Sequence, residues 1–281
     1  MQSAAELMDV INREAWRTQD AVNCYRCLEG WTDAGERIAI ERITAEVKGQ
    51  PILDLGVGAG RTVPLLCAIS QDYTAIDYTP ELVGVCQIKY PEHRICNGDA
   101  RDLSVFADES FALVVFSFNG IDAVNPDDRM KVLREAHRVL RPGGFLLFSA
   151  HNQQGSGHDE GFKLGVYWTR NPFKLASRMI RALRQIFRTT SNYRRYSGLS
   201  QHAEGYSIKN AAVHNHGIVI HYITLEKQFE QLASAGYCPD PEAYGSLDGQ
   251  QLTPGDDTHR HMWFHFVARK PHADVGTVES R

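Results

Sequence analysis

No stretch of the 281 residues is both long and apolar. Runs such as Phe111 to Phe118 fall below half of the roughly 20 residues that a membrane-crossing helix needs, so none is expected. The N-terminus carries Glu6 and Asp9 where a signal peptide would have a basic start and an apolar core, and cytoplasmic residence is the expectation. Cysteine is scarce and unframed: Cys24, Cys27, Cys67, Cys86, Cys96 and Cys238 are scattered, and free thiols are expected. Only Cys24 and Cys27 form a CxxC pair, and no second pair completes the four ligands of a structural zinc. Neither sign of charge dominates. The 30 Lys and Arg against 34 Asp and Glu leave a net charge of −4, which argues against broad nucleic-acid affinity. There is no internal repeat. With 43 % hydrophobic and 23 % charged residues, the composition is that of a folded globular chain of one large or two small domains.

What is present changes character along the chain. Residues 1–47 read as a helical cap in two segments broken near Gly30, the second starting after Thr32 as N-cap. From residue 48 short apolar strands alternate with helices. Pro51 to Leu55 is a buried strand running into Gly56-Val57-Gly58-Ala59-Gly60, with a helix over about 62–69. Tyr73 to Asp77 is a second strand, and Thr79-Pro80-Glu81 then opens a helix with a cap, a proline at the first position and an acid at the positive end. Further strands are expected at 93–96, 111–117 and 145–149. A helix over 129–140, stopped by Arg141-Pro142-Gly143-Gly144, precedes the last of these. The alternation breaks over 151–217, an insertion too long for an ordinary connection. It resumes with a strand at 218–223, a helix at 225–235 capped by Thr224, and a last strand at 262–268, before a tail over 271–281. The expected fold is α/β, a doubly wound, mostly parallel seven-stranded sheet of Rossmann-like type, with a lid inserted after the fifth strand. Residues 48–150 and 218–270 would build the cofactor domain, and 151–217 a substrate lid.

A strand, a glycine turn and a helix N-terminus together can hold a nucleotide-type cofactor, because glycine lets the backbone turn sharply and free N–H groups face the ligand. The spacing here is G-x-G-x-G, with Arg61 where the nicotinamide fingerprint has its third glycine. Acids follow at three successive strand ends: Asp54, Asp77 and Asp99. An acidic crevice attracts a cationic sulfonium cofactor more than an anionic pyrophosphate.

These segments resemble the class I, seven-stranded S-adenosylmethionine-dependent methyltransferases. The resemblance runs through Ile52 to Arg61, Ala75 to Leu82, Asn97 to Leu103, Phe111 to Asn119 and Val139 to Gly144, in the family's order. It is strong over about 50–150, weak after 218 and absent from the insertion. It implies S-adenosyl-L-methionine as cofactor. Gly56, Gly58 and Gly60 would line its methionine portion, with Asp54 on the ammonium side. Asp77 would bind the ribose hydroxyls, Tyr78 would lie against the adenine, and Asp99 with Ala100 would meet the adenine edge. Phe116 to Asn119 would sit near the sulfonium, and the last strand would run antiparallel.

Methyl transfer from a sulfonium needs alignment above all, and a base only where the acceptor must lose a proton. His151 and Asn119 are the catalytic candidates, with Asp122 nearby, and Tyr25 is placed to reach over the cofactor. The span 163–195 carries nine Lys or Arg and no acid, arranged as a basic amphipathic helix. It is a solvated cationic face, or a lid drawing an anionic acceptor through Arg170, Lys174 and Arg178, or a contact with an anionic membrane surface or nucleic acid. The histidines at 214, 216, 259, 261 and 265 lack the partners of a metal site, and no metal is expected. The expected activity is methyl transfer to the oxygen or nitrogen of a small or conjugated metabolite. A nicotinamide oxidoreductase, or a non-enzymatic cofactor-binding module docking a partner or membrane through its basic helix, is the alternative.

Overall fold

A computed structural model describes residues 4–18, 22–23, 28–159, 169 and 171–273. One eleven-stranded sheet organises them. Its strands are β1 (Ile52–Leu55), β2 (Tyr73–Asp77), β3 (Arg94–Asn97), β4 (Phe111–Phe116), β5 (Leu140–Asn152), β6 (Gln201–Ala203), β7 (Tyr206–Ala211), β8 (Ile218–Ile223), β9 (Glu242–Gly245), β10 (Gln251–Leu252) and β11 (Trp263–Arg269). The helices are α1 (Ala4–Trp16), α2 (Ala34–Val47), α3 (Val63–Cys67), α4 (Pro80–Lys89), α5 (Pro126–Val139), α6 (Pro172–Tyr196) and α7 (Leu225–Ser234). The main order is β10-β9-β11-β5-β4-β1-β2-β3. The strands from β3 to β5 pair in parallel, and β11 runs antiparallel between β5 and β9, as the resemblance implies.

Strand alternation sends side chains to two cores. Leu53, Leu55, Val114, Phe148 and Phe266 face Leu133, Ala136 and Leu232 of α5 and α7. Ile52, Leu113, Val115 and Leu147 face Ala39, Ile43 and Val47 of α2. Burying each such side chain stabilises the fold by about 1.5–3 kcal/mol, which is why both sheet faces need helices.

Several boundaries differ from expectation for local reasons. The cap of α2 is Asp33, whose carboxylate accepts from Glu36 N at 2.9 Å, not Thr32. Helix α5 starts at Pro126 because Asn125 accepts from both Asp127 N and Asp128 N. The expected stop at Arg141 to Gly144 already belongs to β5, which enters the sheet with a register shift opposite β4. The strand at 218–223 does not join the main order. It pairs in parallel only with the tip of β5, His151 and Asn152, and carries the antiparallel β7 and β6 outward. The place beside β11 is taken by β9, after α7. No described helix is long and apolar enough to cross a membrane.

Candidate active site

The carboxyl ends of β1, β2, β4 and β5 open into one cavity of about 370 Å³, within the usual range for small-ligand sites. Asp54, Asp77 and Asp99 all line it, with Gly56, Gly58, Tyr78, Ala100, Phe116, Asn119 and His151. Of the expected cofactor residues only Gly60 stands back from the cavity lining. A methyl group on Gly60 would come within 2.5 Å of the Tyr90 ring, so this glycine serves helix packing. Gly56 has φ +67, and a Cβ there would meet the Phe116 ring at 2.8 Å. Gly58 has φ +57 but its absent Cβ faces open space, so the backbone is bare toward the cavity at that point.

The acids differ in how they are held. Asp54 is buried and accepts from Thr62 Oγ1 at 2.5 Å and Tyr73 OH at 2.8 Å. Burial outweighs these bonds and pushes its carboxyl up to about 6. Asp77 accepts from Gly58 N at 2.9 Å and Thr79 N at 2.8 Å, so the second strand end clamps the glycine turn. Burial raises its pKa as well, against those two backbone bonds. A carboxylate has about four acceptor sites, so both acids keep lone pairs for a ligand. Burial would also raise Asp99, yet the hydrogen bonds and charges of Arg101 and Arg13 prevail and hold it at about 2. Arg101 reaches both of its oxygens, and Arg13 of α1 pairs with it at 2.7 Å. The same Arg13 guanidinium lies 4.5 Å from the centre of the Tyr78 ring. One face of that ring is thus covered by α1.

Sequence reasoning missed the roof. Helix α1 contributes Asp9, Asn12 and Trp16 to the lining, and β8 contributes Ile218, Val219 and Ile220. Asn12 holds these together: its amide donates to Ala123 O at 2.6 Å and Val219 O at 2.8 Å, and its oxygen accepts from Val219 N at 2.9 Å. A lone Asn in an amphipathic helix carries no signal of this in sequence. Among the described residues of 151–217, His151 alone lines the cavity; Lys174 and Arg178 on α6 do not line it, and Arg170 and Tyr25 lie outside the described residues. Arg61, in the third-glycine place, binds the Glu36 carboxylate through two bonds of 2.7 Å, both groups buried. It is thereby committed to a protein carboxylate.

At the acceptor end, β4 finishes in two non-glycine residues of left-handed conformation, Phe118 (φ 53) and Asn119 (φ 59). Such a pair stores strain of order 1–3 kcal/mol per residue and is characteristic of functional sites. The turn is held by Asn119 N donating to Ser149 Oγ at 2.7 Å. It presents Asn119 beside His151, Nδ2 to Nε2, at 3.4 Å. His151 stands at the tip of β5, and its Nδ1 lies 2.7 Å from Asp122 Oδ2. Asp122 sits in the 3-10 turn Gly120–Ala123. Although burial opposes ionisation, Arg129 and His151 hold its pKa below the ordinary value. Arg129, itself buried, donates to Asp122 Oδ1 at 2.5 Å and to Gln228 and Gln231 of α7. An ionised carboxylate only accepts, so Nδ1 carries a proton, and Nε2 is the ring nitrogen turned toward Asn119 Nδ2. A nearby second histidine, His221, is pushed down to about 3 by burial and stays neutral.

The site's chemistry fits a cationic sulfur cofactor. The Asp54 and Asp77 carboxyls converge with acceptor sites to spare, Asp99 being taken by Arg101 and Arg13; the floor at Gly58 is bare, and among the described residues the cavity-lining Tyr78 OH and Asn119 Oδ1 are buried without hydrogen-bond partners. Bare acceptors and acids suit a ligand that brings donors and positive charge.

Comparison with known proteins agrees. Residues 52–144 match a family described as a methyltransferase domain. Demethylmenaquinone methyltransferase of Paenarthrobacter aurescens is 32 % identical over 120 residues, covering 43 % of this chain and 46 % of that protein. The chain thus spans about half the length of this relative. Among solved structures, the 1,6-didemethyltoxoflavin-N1-methyltransferase of Burkholderia thailandensis, with its substrate and S-adenosylhomocysteine bound, superposes with a TM-score of 0.58. It is 15 % identical and the match covers 96 % of this chain and 92 % of that one. A Mesorhizobium loti S-adenosylmethionine-dependent methyltransferase gives a TM-score of 0.56 at 19 % identity, over 84 % of this chain and 98 % of the other. At such identities the likeness is one of fold.

Proposed function

We propose that this chain, whose residues 52–144 match a methyltransferase domain, acts as a class I S-adenosylmethionine-dependent methyltransferase on a small, largely apolar acceptor whose hydroxyl proton is taken by His151. The observation that carries this is the Asp122–His151 pair opening into the same cavity as the three strand-end acids. When bound, S-adenosylmethionine supplies a methyl group made electrophilic by its sulfonium. Asp77 would hold the ribose hydroxyls, and Asp54 and the glycine turn the methionine end. Asp99, with Ala100, would define the adenine edge. Such alignment can lower a displacement barrier by roughly 7–11 kcal/mol.

A hydroxyl on an aromatic ring is a poor nucleophile until deprotonated. His151 Nε2 takes that proton, and the imidazolium that forms is stabilised by ionised Asp122, in turn fixed by Arg129. Trp16, Trp263, Phe118 and Ile220 line the cavity and favour a flat apolar body over a highly charged one. Once the proton is lost, negative charge is shared between oxygen and the adjacent ring carbons, so the same base serves an oxygen or a carbon acceptor. A relative from Rubrivivax gelatinosus, 33 % identical over 106 residues and named a ubiquinone/menaquinone biosynthesis C-methyltransferase, favours the carbon outcome as a second reading.

Labelled methyl transfer to a panel of phenols, hydroquinones and amines tests this. Activity should concentrate on acceptors with a ring hydroxyl. His151→Ala should lower kcat by about 10²–10⁴ with S-adenosylhomocysteine affinity unchanged by calorimetry. Absence of S-adenosylhomocysteine binding to the wild type would defeat the cofactor assignment. Full activity in His151→Ala would defeat the base alone.

A further inference from the structure

Helix α6 takes no part in the cavity, yet among the described helices it is the most polarised. Its 25 residues contain seven Lys or Arg and no acid. At 100° per residue, Phe173, Met179, Ile180, Leu183, Ile186 and Phe187 fall on one arc, and Arg181, Arg184 and Arg188 on the arc beside it. A helix of a soluble domain turns its apolar arc inward. Here that arc faces out: Phe173 is 85 % exposed, Leu183 64 % and Phe187 76 %. The helix meets the body along a third arc and at its foot, where Thr189 and Tyr196 are buried. Tyr196 packs with Met8 and Ile11 of α1 and Val219 of β8, elements that roof the cavity.

We propose that α6 seats its exposed apolar arc in the interfacial layer of an anionic lipid membrane, with Arg181, Arg184 and Arg188 on the headgroup phosphates. An apolar ridge flanked by basic residues, with no acid, is the composition that binds such a layer. Charge selects this occupant over the others. A second copy docked arc to arc would bring two strongly cationic helices together, and nucleic acid would satisfy the arginines while leaving Phe173, Leu183 and Phe187 in water. The foot at Val219 then holds the cavity roof close to the membrane plane. The proposal goes beyond methyl transfer and stands whether or not that activity is confirmed.

Co-sedimentation of the full chain with vesicles tests it. Wild type should pellet with phosphatidylcholine vesicles containing phosphatidylglycerol, at least about tenfold more than with phosphatidylcholine alone, and less as salt rises. Near an anionic surface each basic residue is worth roughly fivefold in partitioning, so Arg181→Glu with Arg184→Glu and Arg188→Glu should lose about a hundredfold or more. Leu183→Asp with Phe187→Asp should also abolish pelleting although every arginine remains. Both variants should keep wild-type circular dichroism and S-adenosylhomocysteine affinity, so this test is separate from that of the cofactor. Wild type left in the supernatant with anionic vesicles overturns the proposal. So does pelleting that survives Leu183→Asp/Phe187→Asp, since attraction through the arginines alone would explain it. A concentration-dependent dimer that the same pair converts to monomer, without vesicle binding, would assign the arc to a second copy.

Discussion

Asp54 is the residue whose chemistry is most at odds with its surroundings. Its folded pKa of about 6 against an ordinary 3.8 means that between those values the folded chain keeps a proton that the unfolded chain has released. The contribution of this one carboxyl to stability is therefore fully present below 3.8 and is lost as pH rises through 6, by about 3 kcal/mol in total. Asp54→Asn has no such charge to bury and can still accept from Thr62 and Tyr73. Its melting temperature relative to wild type should climb between pH 4 and pH 7 (roughly the interval of that shift) and then level off. A difference that stays flat across this interval would show that Asp54 does not titrate as described. The acids themselves were plain in the sequence, because a carboxylate at each of three strand ends can be counted along the chain. Their partners were not. Nothing in the order of residues shows that Asp77 would clamp Gly58, or that Arg61 would be spent on Glu36, because those pairings depend on how α2 and the glycine turn meet in space.

Among the elements, α1 contributes most to the site relative to its packing. It is tied down by Asn12, with three hydrogen bonds, and by Arg13 to Asp99. Asn12→Ala would leave the peptide groups of Val219 and Ala123 short of partners, at a cost of roughly 1–3 kcal/mol each. The expected result is a melting point lower by several degrees and faster hydrogen exchange in α1 and β8, with exchange in β1 and β4 unchanged. Unchanged exchange in α1 would mean that Asn12 is not its anchor. At this scale the sequence was readable wherever structure is local. Thr224 caps α7, Pro80 opens α4, and the apolar strands β1, β2 and β4 appear close to where their patterns put them. It failed where pairing is distant. The insertion showed no alternation because its β6 and β7 pair antiparallel with each other and onto β8, as a flap attached to the end of β5. Likewise β9, only four residues long, is defined by its neighbour β11 and by little in its own composition.

For the whole molecule, a ligand that touches strand tips, glycine turn and α1 together should couple them. S-Adenosylhomocysteine at about 100 times its Kd should add about 2.7 kcal/mol of stability, seen as a melting shift of several degrees. Protection from exchange should appear together at the ends of β1, β2 and β3 and in α1. Protection confined to the strand tips would mean that α1 does not cover the bound ligand.

Strand β5 spans thirteen residues, pairing with β4 along one part, with β11 from Phe145 to His151, and with β8 only at its last two positions. The flap of β6, β7 and β8, which brings Ile218, Val219 and Ile220 to the cavity, therefore hangs from a single tip. A lineage could exchange this flap, and so reshape the cavity roof, while the glycine turn and the strand-end acids stay as they are.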